Sequence, residues 1–448
     1  MSDWLDAHPD IHSVRAVACD LNGQARGKRY PRRFARGLEE TGTKFPFSVL
    51  NLDIWGEDID DSPLVFDSGD RDGSLHPTER GYVPVPWLDT PTALLPLWMF
   101  HDSEDGDGAP YAGDPRHALR AVLDRYAAKG LTPVVATEME FYLIDDATAR
   151  LRPPPSERSG KRRPGAETLG LRQLDAFDQF FTQLYDACEA MDVPAQAAIS
   201  EAGLGQFEID IAHQPDALKA ADDAWLFKMA TRGLARSRGF AASFMAKPYD
   251  DQPGNGMHVH FSVLDAEGRN VFDDGTPGGS DAMRHAVAGL LAAGPAMTLI
   301  CAPHANSFDR MVPDSHCPTG LAWGYENRTT AVRIPAGPGA ARRIEHRIAG
   351  GDVNPYLLLA AILGAALAGM EDGVAPPDAV AGNAYALDLP RGPSDWAGAI
   401  DRFEADPWTP RLFPEELVRN MVLTKRQELH WVAELSPREV TELYLDTV

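Results

Sequence analysis

The feature of this sequence that most restricts its fold is a set of four separated segments in which apolar and ionisable residues alternate with a period of two. Such alternation marks a β-strand with one face in a core and the other free for chemistry. In Val134 to Ile144, Glu138, Glu140 and Tyr142 take one side while Thr137, Met139 and Phe141 take the other. In Gln206 to Ile211, Glu208 and Asp210 alternate with Phe207, Ile209 and Ile211, and Glu201 precedes them across Gly203 and Gly205. Met257 to Val263 sets His258, His260 and Ser262 against Met257, Val259, Phe261 and Val263, and Arg343 to Ile348 sets Arg343, Glu345 and Arg347 against Ile344 and Ile348. A strand face that merely meets water usually carries lysine, threonine, serine and mixed charges. These faces carry carboxylates, imidazoles and arginines and no lysine. Gathered in one curved sheet, the carboxylates cannot all ionise without a cation among them, so the pattern predicts a divalent metal site. Oxygen ligands with a single imidazole suit Mg²⁺ or Mn²⁺ rather than zinc.

Such ions commonly bridge substrate phosphates. Neither a GxxxxGK[ST] loop nor a strand-linked GxGxxG occurs, so phosphates, if bound, must be held by metals and arginines. Arg310, Arg328, Arg333, Arg343 and Arg347 lie close together in sequence around Glu345 and read as anion clamps.

Charge excludes two partner classes. The acids exceed the bases by 66 − 42 = 24, a field that repels nucleic-acid phosphates and anionic lipid. The basic run Arg158 to Arg163 sits among prolines and reads as a surface loop. The first ten residues carry Asp3, Asp6 and Asp10 and no lysine or arginine, and no apolar run reaches the roughly 18 residues of a membrane span, so neither export nor a membrane span is expected. Cys19, Cys188, Cys301 and Cys317 have no CxxC spacing, which predicts four free thiols in a reducing, cytoplasmic setting.

The opening third reads as a small β-rich region, with strands at Val14 to Leu21, Phe47 to Ile54, Leu64 to Phe66 and Gly81 to Pro84, and an acidic turn at Gly69 to Gly73. The Asp-, Gly- and Pro-rich stretch Asp105 to Asp114 marks a boundary near Gly113, dividing the chain into residues 1–112 and 113–448. Helical periodicity fits Pro115 to Lys129, Leu174 to Met191, Ala217 to Arg238, Asp281 to Leu299, Pro355 to Met370 and Pro414 to Val448, so the second domain is α+β.

The ordered motifs resemble those of the glutamine synthetase family over nearly the whole chain. They are Glu138-Met-Glu140, Glu201 to Glu208, Lys247-Pro-Tyr with Asn255 to His260, Asn306 to Arg310, Trp323 to Arg328, Arg333-Ile-Pro, and Arg343 to Arg347 followed by Asn354-Pro-Tyr-Leu357. The resemblance implies an N-terminal β-grasp domain, a catalytic domain with a curved antiparallel sheet and flanking helices, and double-ring dodecamers with active sites between adjacent subunits. It implies two or three Mg²⁺ or Mn²⁺ ions, with Glu140, Glu201 and Glu208 on one and Glu138, His258 and Glu345 on another. It puts His260 and Ser262 near ATP, Arg333 and Arg343 on the nucleotide's phosphates, Arg310 and Arg347 with Gly254 at the glutamate substrate, and Arg328 on the transferring phosphoryl group. The implied reaction makes a γ-glutamyl phosphate, which an amine then displaces.

The chain departs from the ammonia-using pattern of that family. Leu50 to Gly56 stands where those members carry Asp-Gly-Ser-Ser, and the flap Pro313 to Pro318 carries His316 in place of a glutamate. An imidazole accepts a proton but is a poor partner for a small cation, so His316 suits deprotonation of an amine better than capture of ammonium. Pro253 replaces the usual Asn before Gly254, and Leu387 stands where some members carry a modifiable tyrosine. The segments most resemble the γ-glutamylpolyamine synthetase branch, and the reading is a glutamate–amine ligase. The alternatives are a glutamine synthetase whose ammonium site is rebuilt from residues such as Asp53 or Glu326, and a non-catalytic ring-forming homologue.

Overall fold

A computed structural model of the protein describes residues 2–102, 108–147 and 151–448. Two sheets carry its architecture. The first is built from β1 (Ser13–Cys19), β2 (Ala25–Pro31), β3 (Thr43–Pro46), β4 (Asp72–Pro77), β5 (Val83–Pro84) and β6 (Thr92–Phe100). Its order is β2-β1-β6-β4-β3, with β5 beside β6 and a parallel β1–β6 pair among antiparallel neighbours. The hairpin between β1 and β2 turns at Gly23, whose φ of 79° a side chain would resist, while the buried Asp20 carboxylate accepts from the Gln24 amide.

Alternation along β1 divides its side chains between two cores. Val14, Ala16 and Ala18 join Leu38, Phe45 and Leu75 in a small cluster. Val17 and Cys19 join Val83, Leu94 and the large cluster that fills the rest of the molecule.

The second sheet contains β7 (Thr132–Ile144), β8 (Ala195–Ser200), β9 (Gln206–Gln214), β10 (Ala241–Ser243), β11 (Met257–Leu264), β12 (Trp323–Tyr325), β13 (Val332–Ile334) and β14 (Ile344–His346). Its order is β12-β13-β14-β11-β7-β9-β8 with β10 against β7, and every pair is antiparallel except β12–β13. The apolar face of β7, β9 and β11 packs Met139, Phe141, Phe207, Ile209, Val259 and Phe261 into the large core beneath the helix Ala217–Ser237 and its neighbours.

The helices Asp281–Cys301 and Pro355–Asp372 cross tightly because Gly289 and Gly369 meet there. A Cβ at either would lie 2.2 Å from a carbonyl oxygen of the opposing helix. Both are long and apolar enough to cross a membrane, but 72% and 83% of their apolar windows are buried within the protein, and the core accounts for their composition. Asn354 caps the second helix with its Oδ1, while its Nδ2 donates to the backbone oxygens of Asp20 and Leu21 in the first hairpin.

The α+β class and the long helices agree with the sequence reading, and the four cysteines are free and buried. The small-domain strands differ. Phe47–Asn51 is a 3-10 turn and Leu64 to Phe66 lies in turns, with Phe66 87% exposed. Strands form instead at Thr43–Pro46 and at Asp72–Pro77, the latter starting inside the stretch read as an acidic turn. The cause is pairing: Asp72 to Leu75 lie opposite Pro46 to Thr43, and Ser74 to Pro77 opposite Phe100 to Leu97, so tertiary partners override weak local propensity. Two expected helices are broken, one at Ala176 and Phe177, the other between Val432 and Pro437, where Ser436 caps a new start. Of the acidic stretch from Asp105, positions 105–107 lie outside the described residues.

Candidate active site

Strand register assembles the polar face row by row. On β7 and β9, Glu140 stands opposite Glu208 and Glu138 opposite Asp210; on the other side of β7, His258 of β11 stands opposite Glu138. One row further, His260 faces Glu345, which in turn faces Arg333. The ladder thus runs from acids through imidazoles to arginines across five strands.

Short contacts tie the rows together. Glu138 meets His258 Nδ1 at 2.8 Å and His260 Nε2 at 2.7 Å, and the Gly256 amide donates to Glu140 Oε2 at 2.5 Å. Glu345 is fully buried and paired with Arg347 and, at 2.6 Å, with Arg333. Ligand atoms of Glu138, His258 and Glu345 all lie within 4.8 Å of one another, and so do those of Glu140, Glu208 and His258. The first set is the expected one. In the second, His258 stands where Glu201 was expected, because Glu201 lies beyond the end of β8 and outside the ladder, although it lines the same cavity.

The electrostatics fit a cation. Burial opposes ionisation of Glu138, but hydrogen bonds from His258 and His260 outweigh it and hold the carboxyl well below its usual range. Burial and the neighbouring Glu140 push Glu201 up to about 7, and burial with Glu140 and Glu138 pushes Glu208 well up. Buried carboxyls that other carboxylates also crowd are what a divalent ion would relieve.

Two cavities open on this face. One of about 430 Å³ is lined by His260, Ser262 and Arg343 together with Gln196, His213 and Ala340. Arg343 Nε lies 3.2 Å from His260 Nδ1. The other, about 250 Å³, is lined by Glu140, Glu201, Glu208, His258, Gly254, Arg310, Arg347, Arg328 and His316. Glu138 and Asp210 line both and form the wall between them. Arg333 lines neither; it is paired with Glu345 and Glu326 at the edge of the first ligand set.

Arg310 and Arg347 are both 4% exposed. Arg310 is aimed by Nη1, which reaches the Ile348 oxygen at 2.7 Å and the Cys317 sulfur at 3.1 Å. Gly254 lets it approach, since a Cβ there would lie 2.7 Å from Arg310 Cγ. Beneath Gly254, buried Asn255 ties the end of β10 to the start of β9, donating to the Ser243 and Met245 oxygens and accepting from Gln206 Nε2.

The flap Pro313 to Pro318 ends this cavity. His316 and Asp314 take left-handed backbone angles, φ 62° and 60°, which non-glycine residues adopt at a cost. His316 and Arg328 are exposed at the cavity's rim. Neither candidate for a rebuilt ammonium site is free: Asp53 Oδ1 accepts from the Trp55 and Glu57 amides and its Oδ2 from Gln427, while Glu326 is held by Arg333 and the Ala336 amide.

Sequence reasoning assigned no role to Asp210, although its place on the alternating face beside Glu208 was the available signal. The apolar walls of the larger cavity, and Cys317 beneath Arg310, carry no such signal.

The glutamine synthetase catalytic-domain family matches residues 112–443. The γ-glutamylputrescine synthetase of Escherichia coli is 36% identical over 386 residues, covering 85% of this chain and 80% of that protein. The γ-glutamylethanolamide synthetase of Streptomyces coelicolor is 32% identical over 436 residues, covering 95% and 90%. The solved structure of a GmaS–ADP complex superposes with a TM-score of 0.83 at 26% identity, covering 97% of each chain.

Proposed function

The chain belongs to the glutamine synthetase family, and from that premise we propose that it is an ATP-dependent ligase joining the γ-carboxylate of glutamate to an organic amine of the polyamine type. The observation that carries the reading is the cavity in which the carboxylate rows, two buried arginines and a histidine-tipped flap meet. Relatives named for putrescine and ethanolamine products support an organic nucleophile.

In this reading ATP occupies the larger cavity, with His260 and Ser262 near the nucleotide and Arg343 toward its phosphates, which Arg333 would reach by turning from Glu345 and Glu326. Its γ-phosphate meets the Glu138–Asp210 wall. Glutamate lies in the smaller cavity, its carboxylates on Arg310 and Arg347 with Gly254 beside them. A carboxylate resists amines until one of its oxygens becomes a leaving group, so the γ-carboxylate oxygen first attacks the γ-phosphorus and ADP departs. Arg328 stabilises the charge on the transferring phosphoryl group. The amine then attacks the acyl carbon, His316 takes the proton it sheds, and phosphate leaves. Mg²⁺ or Mn²⁺, held by Glu138, His258 and Glu345 and by Glu140, Glu208 and Glu201, would supply the positive charge that phosphoryl transfer needs. Assembly into a double-ring dodecamer, a cytoplasmic setting and a small domain ending at residue 112 belong to the same proposal.

The test is ATP-dependent phosphate release with glutamate, Mg²⁺ and a panel of ammonium, putrescine, spermidine, ethanolamine and methylamine. One organic amine should exceed ammonium in kcat/KM by about tenfold or more, a difference of about 1.4 kcal/mol in transition-state binding. Preference for ammonium would overturn the amine reading and leave a glutamine synthetase. No turnover with any nucleophile would favour the ring-forming homologue.

A further inference from the structure

A third cleft, about 520 Å³, lies between the first sheet and the helix Ala217–Ser237, and none of its lining residues borders either cavity of the active site. One wall is the face of β1 and β2 that carries Arg15, Val17, Gly27 and Arg29. The other is a single stripe of the helix, Met229, Arg232, Gly233 and Arg236. Arg15 and Arg29 stand directly opposite each other across the β1–β2 ladder. Like charges in such a pair destabilise a sheet unless an anion sits between them.

Among the described residues no protein group fills that role. In a chain with 66 acids, neither Arg15 nor Arg29 has a carboxylate partner among the described residues, and the Arg29 side chain reaches only the Ser13 hydroxyl, at 3.0 Å. Partial burial and the charge of Arg29 lower the affinity of Arg15 for its proton, the signature of a cation lacking its counterion. The neighbouring basic groups are committed elsewhere. Arg232 donates to the Thr447 oxygen, Arg236 to Asp146, and the Lys28 ammonium lies on the opposite face of the sheet over Phe45. They add positive field without closing the cleft. Trp87 completes the floor with a flat apolar surface, lying so close to the helix that a Cβ on Gly233 would come within 2.3 Å of its ring.

We propose that this cleft binds a small polyanion, a phosphate ester or a polycarboxylate, whose closely spaced negative charges bridge Arg15 and Arg29. Planar guanidinium forks pair bidentately with either chemistry. The site is separate from the reaction centre and is suited to an effector rather than a substrate.

The test is calorimetric titration of the full chain with inorganic pyrophosphate and, separately, with citrate. EDTA is present so that no metal bridges anions to the carboxylate rows. Saturable binding is expected. Arg15→Gln and Arg29→Gln should each weaken it by about tenfold, as loss of one charge-assisted pair does, while Arg343→Gln in the nucleotide cavity leaves it unchanged. Arg29 is exposed, so its replacement keeps the test valid if Arg15→Gln folds poorly. Tighter binding of pyrophosphate would assign a phosphate ester, and tighter binding of citrate a polycarboxylate. No saturable binding, binding indifferent to both sheet arginines, or equal loss in Arg343→Gln would overturn the proposal.

Discussion

The carboxylate ladder and the flap lie at two sides of one cavity and are built by different means. In the ladder, Glu208, Glu140, Glu138 and His258 take their positions from backbone register, and moving any one would shift a whole strand. In the flap, His316 takes its position from a left-handed backbone angle in an exposed loop. The difference teaches where the reaction can vary. In the proposed reaction phosphoryl chemistry would depend on groups that the sheet cannot release, whereas the nucleophile would be met by a residue the fold leaves free to change.

Three measurements would break or sharpen that contrast. The largest effect belongs to the ladder: Glu140→Gln should lower phosphate release by about 10³-fold or more. Its melting temperature should stay close to that of the parent protein, and retained turnover would remove Glu140 from the reaction. The flap should trade rather than lose. His316→Glu is expected to raise the ammonium-to-amine ratio of kcat/KM by about tenfold, since an acid can hold a cation that imidazole cannot. An unchanged ratio would place discrimination elsewhere in the pocket.

The smallest effect concerns stability. Glu201 and Glu208 titrate above the ordinary glutamate range in the folded protein, so the folded state binds more protons than the unfolded one at intermediate pH. Metal-free protein should therefore lose stability as pH rises from the ordinary glutamate range through about 7, where Glu201 ionises. Mg²⁺ should raise the melting temperature by more at pH 8 than at pH 5. A gain that does not depend on pH would show that the ion is not relieving these carboxyls.

What could be read from the sequence follows the same division. Period-two alternation is a long signal, and it placed Glu138 and Glu140, Glu208, His258 and His260, and Glu345 each on the polar side of its own strand before any pairing was known. The position of Glu201 outside the tight ligand sets and the turn of Arg333 toward Glu345 are set by strand ends and neighbours, which alternation does not encode. The small-domain errors have the same origin. Phe47 to Asn51 is as apolar as a strand, yet β3 and β4 win because β6 is there to pair with β4. The opposition of Arg15 and Arg29 could be seen only once β1 and β2 were in register.

Asn354 bears on where this molecule could be divided. Its side chain holds the first turn of a core helix with one atom and the hairpin of the opening residues with another, and Val17, Cys19 and Leu94 sit in the same apolar cluster as that helix. Apolar packing and hydrogen bonds therefore run across the point at which the catalytic-domain match begins. A cut made there would leave the small cluster whole and turn the portion of the large cluster that both sides share toward water.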